Sequence, residues 1–115
     1  MSVRSWFLLI LMTLSISRSG IAASFDCAKA QNKAEQTICR HQALNDADVK
    51  MTTSYQILGH LLAMGSRGAL YDQQRDWLKR RNQCAAQVSC LSQVYQQQQQ
   101  YLDRQLQRIY QQGPF

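Results

Sequence analysis

Four cysteines are the residues of this 115-residue chain with the clearest chemistry. They are Cys27, Cys39, Cys84 and Cys90. An even number of cysteines in a small chain is typical of a disulfide framework, and four cysteines allow three pairings. Short separations favour Cys27–Cys39 and Cys84–Cys90, although the sequence alone does not choose among the pairings. Because no Cys-x-x-Cys pair is present, neither a zinc site with His41 or His60 nor a redox-active pair is expected.

Other groups capable of catalysis do not converge in the sequence. Asp72 and Asp76 lie four residues apart, a spacing that would place two carboxylates on one face of a helix. Arg75 and Lys79 beside them indicate an ordinary charged, exposed face. The two histidines fall in different predicted elements and in no catalytic motif. Since general acid–base, nucleophilic and metal chemistry all need converging groups, the sequence predicts a protein that is not an enzyme and needs no cofactor or metal.

The first 23 residues have the features of an export signal. Arg4 supplies a positive start, and the uncharged run from Ser5 to Ser17 is too short for a membrane span, which needs about 20 residues. Small residues place the cut after Ala22 or Ala23. We therefore predict a signal peptide over residues 1–23 and a helical domain over residues 24–115. The mature protein is expected to be periplasmic or secreted, without a lipid or other stable membrane anchor.

Size and charge narrow the class of the mature chain further. Its length suffices for a single domain. Removal of Arg4 and Arg18 leaves eleven basic and seven acidic residues, a net charge of +4. That mild excess is not typical of nucleic-acid binding, so no nucleic-acid partner is expected. A modest attraction to anionic surfaces or glycans is compatible with it.

Apolar residues recur at helical spacing, and no stretch alternates like a half-buried strand. The predicted helices cover residues 32–40, 44–64, 69–81 and 91–110. Gly65-Ser66-Arg67-Gly68 interrupts the pattern and is predicted to be an exposed loop, and Asn82 to be a left-handed stop. The sequence therefore predicts an all-α fold, a small disulfide-stapled antiparallel helical bundle.

Two aromatic residues and one glutamine are assigned to the interior of this bundle. Tyr55 and Trp77 fall on the apolar faces of their helices and are predicted to be structural core. The five-glutamine run over residues 96–100 continues the helical pattern of its neighbours. It is therefore predicted to be a solvated helix face, with Gln98 alone on the apolar seam.

A set of these residues resembles the LprI-type lysozyme inhibitor family. The matching pieces are Ser24-Phe25-Asp26-Cys27-Ala28-Lys29-Ala30, Glu35, Ile38-Cys39, Asp48, Tyr55, Gln74-Arg75-Asp76-Trp77-Leu78, Arg81-Asn82-Gln83-Cys84, Cys90-Leu91 and Tyr95. The resemblance covers about residues 24–108 and implies a small exported α-helical domain, with inhibition of lysozyme in some members. The chain departs from the family pattern at Ala47, where leucine is usual, and in lacking the lipid anchor of some inhibitors.

Two functions follow as expectations, and both require a protein or glycan partner. The first is a periplasmic or secreted inhibitor that binds and blocks a peptidoglycan-cleaving muramidase. Ser66 and Arg67 in the predicted loop are its candidate contacts, because a guanidinium pairs well with the carboxylates of a lysozyme cleft. The second is an envelope binding module for another secreted protein or an anionic glycan, with Lys79 and Arg80 as candidate contacts.

The remaining charged residues of the resemblance receive a structural prediction. Asp26, Glu35, Arg75, Arg81 and Asn82 are expected to form helix caps and buried ion pairs that orient the stapled ends of the bundle. The sequence does not predict the oligomeric state.

Overall fold

The computed structural model describes residues 23–113, so nearly all of the predicted signal peptide lies outside the described residues. Within this range the chain forms a short 3₁₀ turn, Cys27–Lys29, followed by four α-helices and no strand. The helices are α1 (Lys33–Arg40), α2 (Gln42–Leu61), α3 (Met64–Gln83) and α4 (Val88–Gln112). No helix among the described residues is long and apolar enough to cross a membrane.

Consecutive long helices run antiparallel, as side-chain pairs between them show. Tyr55 of α2 lies against Tyr71 of α3, whereas Met51, one turn earlier, accepts a hydrogen bond from Gln74, one turn later. The most extensive helix contact is between α2 and α4, which run parallel because α3 intervenes between them. The short α1 packs on α2 and α3. The predicted all-α bundle with antiparallel neighbours is confirmed.

The core follows a seven-residue repeat along the long helices. Its buried apolar members include Leu44, Met51 and Leu58 of α2, Leu70 and Trp77 of α3, and Leu91, Tyr95 and Leu102 of α4. Seven residues span two helical turns, so these side chains lie on one stripe of each helix and meet their counterparts. Trp77 is only 1% exposed, and Tyr55 packs half-buried against the edge of the core.

Two disulfides join neighbouring elements. Cys27 pairs with Cys39, which ties the 3₁₀ turn to the end of α1. Cys84 pairs with Cys90, which ties the end of α3 to the first turn of α4. The favoured pairing of the four cysteines is confirmed. In the turn closed by the second bridge, Ala85 takes a left-handed φ of 50°, whereas Asn82, the predicted stop, lies inside α3.

The prediction of a loop over residues 65–68 is wrong. These residues form the first turns of α3, and the chain reverses at Leu62 and Ala63, which are both extended. A Cβ at Gly65 or Gly68 would meet nothing within 4 Å, so neither glycine is required by close packing. The reversal point follows from the core instead, because Leu58 before it and Leu70 after it are both buried.

Candidate functional site

A polar cluster lies where the N-terminal segment and α1 meet α2, α3 and α4. It consists of Ser24, Glu35, Asp48, Arg81 and Tyr95, and is called the ionic cluster below. Its three central side chains, on Asp48, Arg81 and Tyr95, are buried, whereas Glu35 is half-buried and Ser24 is exposed. At its centre the Asp48 carboxylate is 0% exposed. Its Oδ2 accepts a hydrogen bond of 2.6 Å from the backbone N–H of Ser24, and its Oδ1 accepts one of 2.7 Å from the Tyr95 hydroxyl.

The Tyr95 hydroxyl is kept protonated by its surroundings. Burial raises the pKa of Tyr95 well above its ordinary value, and the negative charge of Asp48 and the hydrogen bond to it raise the pKa further. The nearby Arg81 guanidinium acts in the opposite direction and does not outweigh these effects. Tyr95 therefore serves as a hydrogen-bond donor to the carboxylate at neutral pH.

Arg81 connects the other side of the cluster to α1 and to the aromatic core. It is 3% exposed, and its Nη2 donates to Glu35 Oε1 at 3.2 Å. Its Nε and Nη2 both donate to Asn82 Oδ1, at 3.0 and 2.8 Å. The guanidinium also lies over two aromatic rings, 5.5 Å from the centroid of Phe25 and 6.0 Å from that of Trp77. These contacts fix the N-terminal segment against the end of α3.

The charged residues expected to act as caps and ion pairs divide into two groups. Asp26 accepts a hydrogen bond from the Ala28 N–H and caps the 3₁₀ turn, while Glu35, Arg81 and Asn82 belong to or border the ionic cluster. Arg75, in contrast, is exposed and pairs with Asp72 and Asp76 at 3.3 and 3.8 Å on the surface of α3. The two aspartates thus lie on a solvated, charged face of α3.

Arg67, the predicted partner contact, is bound to the protein's own backbone. Its Nε donates to the Gly59 carbonyl at 2.7 Å, and its Nη2 donates to the Leu62 carbonyl at 3.0 Å. These carbonyls belong to the C-terminal end of α2, where no intrahelical donor remains for them. The expectation of a free guanidinium in an exposed loop is therefore wrong, because the Arg67 side chain caps the C-terminal end of α2. Ser66 is exposed in the first turn of α3, and its role as a contact stays a prediction.

Lys79 and Arg80, the candidate contacts of the second hypothesis, are exposed near the C-terminal end of α3. Neither forms an ion pair within residues 23–113. Arg80 borders a groove of about 290 Å³ between α3 and α4. The polar and aromatic lining of this α3–α4 groove comes from Gln73, Trp77, Arg80, Gln97, Gln98 and Tyr101. The groove therefore combines amide, guanidinium and aromatic groups.

The glutamine run supplies both a surface and an internal network. Gln98 is 2% exposed, and its Nε2 donates to the side-chain oxygens of Gln73 and Gln74 at 2.8 and 2.9 Å. Its own oxygen accepts from Gln73 at 2.8 Å. Gln96, Gln97 and Gln100 are exposed. The predicted seam position of Gln98 is thus where the structure places it, with α3 glutamines as partners.

The histidines of the described chain lie apart from the ionic cluster. His41 and His60 are exposed at opposite ends of α2, and the His41 Nδ1 lies 3.0 Å from the Thr37 carbonyl oxygen. No group of three or more His, Cys, Asp or Glu side chains in residues 23–113 is placed to hold a metal ion.

Sequence reasoning did not identify Asp48 as the centre of a polar cluster. Its position on α2, four residues after Leu44 and three before Met51, places a carboxylate on the apolar stripe, and this was the available signal. The partners of that carboxylate could not be predicted, because Ser24 and Tyr95 lie 24 and 47 residues away along the chain.

No protein-family model, no curated protein and no solved structure matches this chain.

Proposed function

We propose that this protein is an exported, lysozyme-inhibitor-like protein that binds and blocks a peptidoglycan-cleaving muramidase. The proposal rests on the resemblance to LprI-type inhibitors. One observation supports it: residues that carry the resemblance, although far apart in the sequence, meet in the ionic cluster. Glu35 pairs with Arg81 across 46 residues, and Asp48 with Tyr95 across 47. These contacts give the residues of the resemblance a shared structural role in this chain.

The two disulfides support the compartment that this function requires. Disulfides persist in oxidising environments such as the periplasm and the extracellular space, where an attacking lysozyme is met. Export through the predicted signal peptide would place the protein there.

The α3–α4 groove is the surface that we assign to the inhibitor contact. Arg67 is committed to α2, whereas the Arg80 guanidinium is exposed and without an ion pair among the described residues. Lysozymes cleave with two carboxylates in a cleft, and a guanidinium binds a carboxylate through two parallel hydrogen bonds. Lys79, the preceding residue of α3, is also exposed and adds a second positive charge to this part of the surface.

A lysis assay with the mature protein tests the proposal. The protein at micromolar concentration should slow the lysis of peptidoglycan by at least one of several lysozyme types tested in parallel. Arg80→Ala should weaken inhibition about tenfold or more, because truncating a buried interfacial charge pair costs about 2 kcal/mol or more. Arg108→Ala, which removes the same charge from the exposed far end of α4, is the matched control and should inhibit like the parent.

Binding of an anionic glycan is the alternative function, and the lining of the same groove favours it. Glutamine amides, the Tyr101 ring and the Arg80 guanidinium are groups that bind the hydroxyls, ring faces and acidic groups of sugars. Calorimetry with a sulfated glycan discriminates the two functions. Heat of binding that is lost in Arg80→Ala, together with unchanged activity of every lysozyme tested, would establish the binding module and exclude the inhibitor.

A further inference from the structure

We infer that the chain is cut between Ala23 and Ser24, and that the α-ammonium group created on Ser24 binds the buried carboxylate of Asp48. The inference concerns maturation and does not depend on which partner the protein binds. In this inference the ionic cluster is the binding site of the new N-terminus. The inference also selects cleavage after Ala23 over cleavage after Ala22, the two positions that the sequence left open.

The position of the Ser24 nitrogen is the first observation. In the uncut chain this nitrogen is a backbone amide with one N–H, and it lies 2.6 Å from Asp48 Oδ2, with no room for water between them. After the cut the same nitrogen would carry a full positive charge and three N–H donors. The carboxylate that receives it is 0% exposed and is oriented on its other side by the Tyr95 hydroxyl.

The charge balance of the cluster is the second observation. Its described members include two carboxylates, Asp48 and Glu35, but a single guanidinium, Arg81. Arg81 donates to Glu35 and to the Asn82 side chain, so Asp48 has no cationic hydrogen-bond partner of its own among residues 23–113. Burial of a charge is expensive unless the charge is paired. An ammonium group on Ser24 would supply the missing positive charge at the atom where it is needed.

An unused acceptor one helical turn from Asp48 is consistent with the extra donors of an ammonium group. Asn45 lies three residues before Asp48 on α2, on the same buried face of the helix. Its side-chain oxygen is buried and has no hydrogen-bond donor among the described residues. An amide nitrogen at Ser24 has no proton left for a second acceptor, whereas an ammonium group has two.

The residues directly after the proposed cut hold the new terminus in place. Phe25 packs against the Arg81 guanidinium, Asp26 caps the 3₁₀ turn, and Cys27 is bridged to Cys39. Three successive anchors leave Ser24 little freedom to move away from Asp48. A cut after Ala22 would instead put the ammonium on Ala23, about 3.8 Å further along the chain.

The chemistry of the cut is peptide hydrolysis by a signal peptidase. Water attacks the Ala23 carbonyl carbon, the bond to the Ser24 nitrogen breaks, and Ala23 leaves with the released segment as a carboxylate. The nitrogen takes one proton from the water and the other from the new carboxyl group, and so becomes an ammonium. Ala23 provides the small residue that such peptidases need before the cut.

The first experiment reads the terminus that the full chain acquires in a cell. Residues 1–115 are expressed in a bacterium, and the protein recovered from the periplasm is analysed by intact and N-terminal peptide mass spectrometry. A chain that begins at Ser24 is expected. A chain that begins at Ala23 or at any other residue, or that remains uncut, overturns the inference.

The second experiment measures whether that terminus is engaged by Asp48. The recovered protein is treated at neutral pH with an amine-reactive acetylating ester, and acetylation of the Ser24 nitrogen is followed by mass spectrometry. It should proceed at least about tenfold more slowly in the native protein than after denaturation, and equal rates overturn the inference. Asp48→Asn should lose this protection, whereas the matched control Asp46→Asn, on the exposed face of α2, should keep it.

Discussion

At the scale of single residues, Arg67 illustrates a long side chain that terminates a helix from outside it. The guanidinium reaches back from the first turns of α3 and satisfies two carbonyls at the end of α2. A residue predicted to face a partner therefore has a structural task. Its substitution separates the two roles, because a partner contact affects inhibition and a cap affects stability.

Arg67→Ala is expected to lower the free energy of unfolding by about 1–2 kcal/mol, the usual cost of losing a cap or a hydrogen bond from a charged donor. Inhibition of lysozyme should be unchanged at temperatures where the variant is folded. Urea denaturation followed by circular dichroism measures the change. Arg104→Ala, an exposed arginine of α4, should stay within about 0.5 kcal/mol of the parent. Equal stability of the two variants would show that the cap contributes nothing.

Tyr95 predicts how stability depends on alkaline pH. Its pKa is raised by burial and by Asp48, so the native protein holds this proton at pH values where the unfolded chain, with an ordinary pKa of about 10, releases it. The contribution of Tyr95 to stability is therefore complete below pH 10 and falls as the pH rises above it. The pKa of half-buried Tyr55 is also raised, by burial and then by Tyr71, and acts in the same direction.

In Tyr95→Phe this alkaline loss of stability should be shallower, with a difference in slope that grows above pH 10 toward about 1.4 kcal/mol per pH unit, the value for one proton. Urea denaturation between pH 9 and pH 11 measures the slope. The control is Tyr110→Phe, since Tyr110 is 61% exposed on α4 and should leave the slope as it is. Identical slopes for Tyr95→Phe and the parent would contradict the role given to Asp48 and burial.

At the scale of elements, α3 begins with two glycines that its fold does not use. Gly65 and Gly68 lie in helical turns, no glycine in residues 23–113 has a positive φ, and a Cβ at either position would meet open space. Glycine inside a helix is less stable than alanine because the unfolded chain has more freedom to lose.

Gly65→Ala and Gly68→Ala should therefore each raise the free energy of unfolding by about 0.5–1 kcal/mol. Thermal denaturation of the two single variants and the double variant measures the gain, and helical circular dichroism should not decrease. In a flexible turn that needs glycine, the same substitutions would destabilise the protein. A lower melting temperature would therefore support a loop over residues 65–68 and contradict the helix.

At the scale of the whole molecule, the two disulfides compensate for a thin core. Each bridge closes a short loop, of 12 and 6 residues in separation, and the chain-entropy account gives about 2–3 kcal/mol for each. Both bridges lie at the end of the bundle that also holds the ionic cluster. They thus hold the N-terminal segment and the α3–α4 turn around the buried charges.

Replacement of both cysteines of the second bridge, Cys84→Ser with Cys90→Ser, should lower the melting temperature by about 10–20 °C, given the usual relation between free energy and melting temperature for a domain of this size. Calorimetry of the variant and the parent without reductant measures the difference. The paired variant Cys27→Ser with Cys39→Ser serves for comparison. If neither pair of substitutions moved the melting temperature, the bridges would be dispensable for stability.

Features that depend on local order were predictable from the residue pattern alone. The spacing of Leu44, Met51 and Leu58 indicates a helix, because helical periodicity is a property of neighbouring residues. The cysteine pairing was favoured for a similar reason, since short loops are the easiest to close. All-α architecture and a stapled bundle follow from these two observations.

The end of α2 and the identity of the buried polar groups depend on how the helices pack against each other. Each glycine at residues 65 and 68 disfavours a helix by about 1 kcal/mol relative to alanine. Burial of Leu58 and Leu70, on either side of the reversal at Leu62 and Ala63, outweighs this cost. The ionic cluster joins residues 24, 48 and 95 through hydrogen bonds between distant segments. No local pattern encodes such partners, because they come together only when the helices pack.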